Sequence, residues 1–237
     1  MYKYKKFKNI LKFIINENIK NKISYSQCGE DLIVDFICNI LKINKPYYLD
    51  IGTYHPININ NTYLFYSRGS CGVCVEPDPT LFVKIKKIRK RDICLNMGVG
   101  LGQKEWGNFY VMTSKTLNTF SKKEAQHYQE SVDNKIESIL RISLLSINQI
   151  IEQYCNKIPN FISLDIEGLE LKVLQSFNFN KYRPEIFCIE TLTYEEDKSE
   201  KKIEAIINLM ETNNYFVYAD TYINTIFVDK IAWSKRK

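Results

Sequence analysis

The stretch "YLDIGTYHP", residues 48–56, decides the fold. Its aromatic and branched side chains form a short apolar run that closes on Asp50 and Gly52 before the chain turns through polar residues. Such a run is a buried strand entering a loop, the opening of a βαβ unit. Outward from it, four more runs have the same character: "CGVCVEP" (71–77), "DICLNMG" (92–98), "NFISLDIEG" (160–168) and "PEIFCIET" (184–191). Helix-like stretches separate them, and that alternation predicts a parallel sheet with helices on both faces.

A polar helical stretch is expected at about 198–213, followed by "YFVYADTY" (215–222) and "NTIFVDK" (224–230). Only Ile223 lies between these two runs, too little for a helical crossover, so they predict an antiparallel hairpin. The expected fold is therefore α/β and Rossmann-like: a mostly parallel, doubly wound sheet ending in a hairpin, the layout of class I methyltransferases by fold-level analogy. Residues 99–145 interrupt the alternation as an insertion. They predict a short strand at "NFYVM" (108–112), a loop at "LNTFS" (117–121), a polar helix over 122–140 and a strand near "ISLL" (142–145). An insertion there would cover the site and shape an acceptor pocket.

A chain of 237 residues, 45% hydrophobic and 25% charged, suits one domain, taken as residues 23–237. Before it, Phe7, Ile10, Leu11, Ile14 and Ile15 recur at helical spacing, predicting a basic amphipathic helix over 4–20 within residues 1–22. Its apolar stripe is expected to pack on the domain or a second subunit, with peripheral contact to an anionic membrane as the alternative. Seven lysines lie in residues 1–22 against the single acid Glu17, so the net charge of +6 is local and the rest is nearly neutral. That distribution argues against nucleic acid as a partner. No apolar run approaches the roughly 18 residues of a membrane span, and the basic start lacks a signal-peptide core, so the expected location is the cytoplasm. Seven scattered cysteines read as reduced thiols. A monomer or homodimer is expected.

In open α/β sheets, ligands bind beyond the carboxyl ends of the strands. The residues there are Asp50 with Gly52, Glu76, Asn96 and Asp165. Gly52 admits a close backbone approach, Asp50 can counter an ammonium group, and Glu76 can clamp a vicinal diol. Asp78, just beyond, is a candidate for positioning a nucleoside. The first turn lacks the glycines of a G-x-G-x-x-G loop, which disfavours a dinucleotide and favours S-adenosylmethionine, a nucleoside cofactor without phosphate. Asp165 and Glu167 lie two apart at a strand end and, if the strand runs through them, share one face. They are read as a general base, a divalent-metal pair or an ammonium anchor, with a helix cap as the structural alternative. His55 follows the cofactor turn and is a candidate base, or else it only fixes its loop. Asn61, opening the helix after the first strand, is a candidate substrate contact.

The chain resembles the FkbM-type methyltransferase family over roughly residues 24–192. The resemblance rests on "SQCGED" (26–31), "YLDIGTYHP" (48–56), "NNTYLFY" (60–66), "EPDP" (76–79), "LNTFS" (117–121), "SLDIEGLELKVL" (163–174) and "PEIFCIET" (184–191). It implies an S-adenosylmethionine-dependent O-methyltransferase acting on a sugar hydroxyl of a small-molecule or glycan acceptor, such as a nucleotide sugar or a cell-surface glycan precursor. It also implies that Gln27 and Glu30 line the cofactor or acceptor pocket. The competing readings are a nucleic-acid amino-methyltransferase, which would carry an Asn-Pro-Pro-Tyr-like block where this chain has "SLDIEG", and a non-catalytic Rossmann-like binding module.

Overall fold

The computed structural model describes residues 23–102, 106–129, 133–192 and 201–236. The helix expected over 4–20 lies outside them, as does the start of the stretch expected from 198. Helix α1 (Glu30–Ile40) leads into β1 (Tyr48–Ile51), α2 (Tyr63–Ser67), β2 (Gly72–Val75), α3 (Pro79–Ile88) and β3 (Ile93–Leu95). The next segment holds β4 (Gly98–Val99), β5 (Trp106–Met112), a 3-10 turn (Lys115–Leu117), α4 (Lys122–Tyr128) and β6 (Ile136–Leu145). Then come α5 (Ile147–Tyr154), β7 (Phe161–Leu164), α6 (Glu170–Gln175), β8 (Ile186–Glu190), α7 (Glu204–Thr212), β9 (Tyr215–Asp220), β10 (Asn224–Asp229) and α8 (Lys230–Ser234).

Seven strands form the main sheet in the order β3-β2-β1-β7-β8-β10-β9. The first five are mutually parallel, and β10 runs antiparallel to both β8 and β9. This is the doubly wound sheet with a closing hairpin that the sequence predicts. Side chains alternate between its faces. Leu49, Ile51, Ile162, Leu164, Phe187 and Ile189 pack with α5, α6 and α7, whereas Tyr48, Phe161, Ile186 and Cys188 pack with α1, α2 and α3. Burial on both faces explains why these strands are continuous apolar runs.

The segment between β3 and α5 departs from expectation in one respect. The helix predicted over 122–140 ends at Tyr128, and residues 136–145 form one long strand. "IESILRISLL" alternates in period two, and it finds an antiparallel partner in β5 along its whole length, from Trp106 opposite Ser143 to Met112 opposite Ile136. With β4 alongside β6, these strands make a second, three-stranded sheet beside the main one. No helix among the described residues is long and apolar enough to cross a membrane.

Candidate active site

A cavity of about 430 Å³ opens at the carboxyl ends of β1, β2, β7 and β8. The loop around Leu117–Phe120 and the β9–β10 turn at Tyr222 and Ile223 complete its wall. Its two ends differ in chemistry, and an apolar slot joins them.

At one end Glu76 closes β2, almost wholly buried. Its Oε2 accepts the Tyr54 N–H at 2.8 Å and its Oε1 accepts the Asp78 N–H at 2.9 Å. Each oxygen keeps a lone pair, so the carboxylate retains capacity for two hydroxyl donors. Burial pushes its pKa up to about 8, against the pull of those two N–H bonds. The partner backbone is specialised too: Tyr54 stands in the left-handed region at φ 55°, and Gly52 at φ 78°. A Cβ on Gly52 would lie 1.7 Å from the Asp165 carbonyl oxygen, so only glycine lets β1 and β7 close together here. The apolar slot is walled by Pro77, Leu81, Met97, Val99, Leu117 and Phe120.

The other end is acidic. β7 stops at Leu164, and Asp165 continues the ladder by one bond, its N–H donating to the Ile51 carbonyl at 3.1 Å. Glu167 and Gly168 then both adopt positive φ, 55° and 96°, turning the chain into α6. Glu170 stabilises this turn by accepting the Ile166 N–H at 2.8 Å and the Gly168 N–H at 3.0 Å. Asp165 is hydrogen-bonded to Glu190, the last residue of β8, and carboxylate oxygens of Asp165, Glu170 and Glu190 lie within 4.8 Å of one another. Burial raises all three: Asp165 to about 6, Glu170 to about 7 and Glu190 well above the usual carboxylate range, where the Glu167 and Asp165 charges add to it. Burial thus favours the protonated form more strongly at Glu190 than at Asp165 within the hydrogen bond they share.

The sequence-predicted residues divide between this wall and the scaffold behind it. Gln27, Gly52, Glu76, Asp165 and Glu167 line the cavity. Asp50 does not. It shares the Tyr48 face of β1, where its Oδ2 accepts from Thr62 Oγ1 at 2.7 Å and Asn60 Nδ2 at 3.1 Å. Behind them the wholly buried Arg89 pairs with Asp92 at 2.7 Å and donates to Tyr48, Asn60, Thr62 and the Pro56 carbonyl. Asp50 thus belongs to a buried polar hub that fixes the 52–62 loop. Asn61 donates its amide to Ser163 Oγ at 3.1 Å and is not among the residues lining the cavity.

Four further expected residues already hold protein partners. Asn96 donates its amide to the Glu76 and Pro77 carbonyls, both at 2.9 Å, and so braces the β2–α3 turn. Asp78 caps α3 through the Thr80 and Leu81 N–H groups, while its Oδ2 accepts from Asn118 at 3.2 Å, tying the "LNTFS" loop to the turn. Glu30 is fully buried and accepts from Cys28 N, Thr221 Oγ1 and Asn224 Nδ2, which fastens α1 to the hairpin. His55 takes the loop-fixing alternative: its Nδ1 accepts the Ile57 and Asn58 N–H groups at 3.1 and 2.9 Å. Burial and nearby Lys84 hold its pKa down, and it lies outside the cavity wall. Of the pair Asp165 and Glu167, only Asp165 falls in the close carboxylate group. Glu167 accepts from the Tyr128 hydroxyl at 3.2 Å, and Glu170 and Glu190 are the carboxylates that stand with Asp165.

Glu190 was missed, although it closes the fifth strand run and the rule applied to the first four reaches it. Tyr54, Leu117 and Phe120 lie in the blocks that carry the family resemblance but were not singled out, and Met97 carried no comparable signal.

The geometry suits a cationic nucleoside. Glu76 keeps lone pairs suited to a vicinal diol, the slot is apolar, and the far end carries carboxylates. Fold and site together define a class I S-adenosylmethionine-dependent methyltransferase. The model of the methyltransferase FkbM domain matches residues 50–217, and the chain belongs to that family. No curated protein matches it. Among solved structures, magnesium protoporphyrin IX methyltransferase from Synechocystis PCC 6803, with bound S-adenosylmethionine, aligns at a TM-score of 0.39 and 9% identity. That alignment covers 85% of this chain and 80% of the other.

Proposed function

We propose that the enzyme methylates a hydroxyl oxygen of a sugar, in a nucleotide sugar or a cell-surface glycan precursor, with Asp165 as the base. The observation that carries this reading is the Asp165–Glu190 pair at the acidic end of the cavity. When bound, S-adenosylmethionine would supply an activated methyl group for in-line attack by an oxygen nucleophile, with S-adenosylhomocysteine leaving as the C–S bond breaks. An alcohol becomes competent for that step only as it loses its proton. Asp165, with a pKa of about 6, is ionised at neutral pH yet basic enough to accept a proton at its carboxylate. The hydrogen bond with Glu190 holds the carboxylate's orientation. Glu76 grips the cofactor's ribose at the other end, and the Leu117–Phe120 loop excludes water from the slot between.

Incubation with labelled S-adenosylmethionine and a panel of nucleotide sugars tests the proposal, with Asp165→Asn alongside. Transfer to a sugar oxygen is expected, with kcat in the variant lower by about 10³-fold and S-adenosylhomocysteine binding kept. Transfer to nitrogen, or loss of cofactor binding with no effect on turnover of saturated enzyme, would reject Asp165 as the oxygen-directed base. A second reading follows from the 4.8 Å grouping of Asp165, Glu170 and Glu190: a divalent cation held there would acidify the hydroxyl directly. Turnover abolished by EDTA and restored by magnesium or manganese would favour it.

A further inference from the structure

A second cavity, of about 560 Å³, lies between the insertion sheet and α6 and shares Val99 and Phe120 with the cofactor cavity. Its charged side chains are Arg141 on β6 and Lys172 on α6, and no acid lines it among the described residues. Neither cation has an ion-pair partner among those residues. Trp106 stands at the rim half exposed, with the Arg141 guanidinium 5.6 Å from its ring centroid, and Asn108 and Tyr110 add polar atoms to the wall.

Trp106 thus presents a half-exposed indole beside Arg141, and Lys172 adds a second cation to the same lining. An aromatic face stacks on a sugar or base ring, and guanidinium and ammonium groups lining the same cavity select phosphate or carboxylate oxygens. We propose that this cavity binds the anionic, ring-bearing portion of the acceptor, while the hydroxyl to be methylated reaches the acidic end of the neighbouring cavity. The inference rests on the sugar-directed reading above and names its substrate class: a sugar carrying phosphate or carboxylate. Two sources share that chemistry, a nucleoside diphosphate sugar and a uronic-acid glycan.

The sequence holds two tryptophans, Trp106 and Trp233, and Trp233 packs against Phe216 and Tyr218 on another part of the fold. In a Trp233→Phe background, indole fluorescence therefore reports on Trp106. Titration with UDP-glucose, a uronic-acid disaccharide and neutral maltose is expected to give saturable quenching by one or both anions, and the preferred anion identifies the source. Arg141→Gln and Lys172→Gln should each weaken it about tenfold, while S-adenosylhomocysteine binding stays unchanged and shows that each variant is folded. No quenching by either anion, equal quenching by maltose, or anion binding insensitive to both variants overturns the proposal. The two readings fail separately. Anion binding at Trp106 without methylation of any sugar sinks the sugar-directed activity alone, and sugar methylation with unchanged KM in both variants sinks the second cavity alone.

Discussion

The two cavities share a wall and differ in the charge they present. The first is lined by Glu76, Asp165, Glu167 and Glu190, with Lys115 its only lining cation among the described residues, and that lysine is engaged by Glu137 and the Met112 carbonyl. The second presents Arg141 and Lys172 without an acid. Their construction differs as well. Acids of the first stand at or just past the ends of parallel strands, positions fixed by the main-sheet ladder, whereas the second is built largely from the insertion sheet. Under the two proposals above, the sheet would meet the cofactor shared by the family, and the three-stranded sheet would meet the part of the acceptor particular to this enzyme.

The strongest way to break this contrast is to remove the acid at the ribose end. Glu76→Ala should weaken S-adenosylhomocysteine binding about 100-fold, since two hydrogen bonds to a carboxylate are lost and the Tyr54 and Asp78 N–H groups lose their acceptor. Calorimetric titration measures it. Its pH dependence sharpens the assignment. The ionised carboxylate is the better acceptor, and its pKa is about 8, so affinity should rise from pH 6.5 toward pH 8 and level off above. Glu76→Gln should flatten that slope, and a slope that survives would place the titrating group elsewhere.

How much of this was legible in the sequence depends on which side of a strand a residue occupies. The strand-end rule selects Asp50, Gly52, Glu76, Asn96 and Asp165 together. Period-two alternation then sends Asp50 to the face of Tyr48, beneath α1 and α2, and the rule alone carries no information about that face. Asn96 and Asp78 are near the site in sequence, yet their polar atoms are consumed by the turn they build. Glu190 was within reach of the same rule. Glu170 was not, because its place beside Asp165 depends on the left-handed backbone at Glu167 and Gly168. The helix expected over 122–140 failed where "IESILR" carries enough charge to suit an exposed helix, and only the partner strand β5 decides otherwise.

The acid-lined wall should also mark the stability of the whole molecule. Glu76, Asp165 and Glu170 have folded pKa values of about 8, 6 and 7, all raised by burial above their unfolded values. Such groups bind protons more tightly folded than unfolded, so their contribution is lost as pH rises from about 4.5 through those values. Glu30 and Asp220 are shifted down, and their contribution is lost on the other side, as pH falls below about 4.5. Thermal melts should give a maximum near pH 5 and a Tm several degrees lower at pH 8. Saturating S-adenosylhomocysteine, which binds the folded chain, should raise Tm at both pH values. A Tm that climbs steadily to pH 8 would show that the cluster is already compensated.

The smallest expected effect concerns the wall between the cavities. The Phe120 ring lies against two glycines: a Cβ on Gly98 would come within 2.2 Å of it, and one on Gly107 within 3.1 Å. Gly98→Ala must push the ring aside, and overpacking of this kind costs about 1–3 kcal/mol. Gly107→Ala is milder, since its nearest contacts, with Leu144 and Phe120, are side chains that can yield by a few tenths of an ångström. Because Phe120 serves both cavities, its displacement should perturb both ligands at once. We expect S-adenosylhomocysteine and the anionic probe each to bind about threefold more weakly in Gly107→Ala, with Tm nearly unchanged. Weakening of the cofactor alone would mean that Phe120 belongs to the adenine slot and that the second cavity keeps its shape without it.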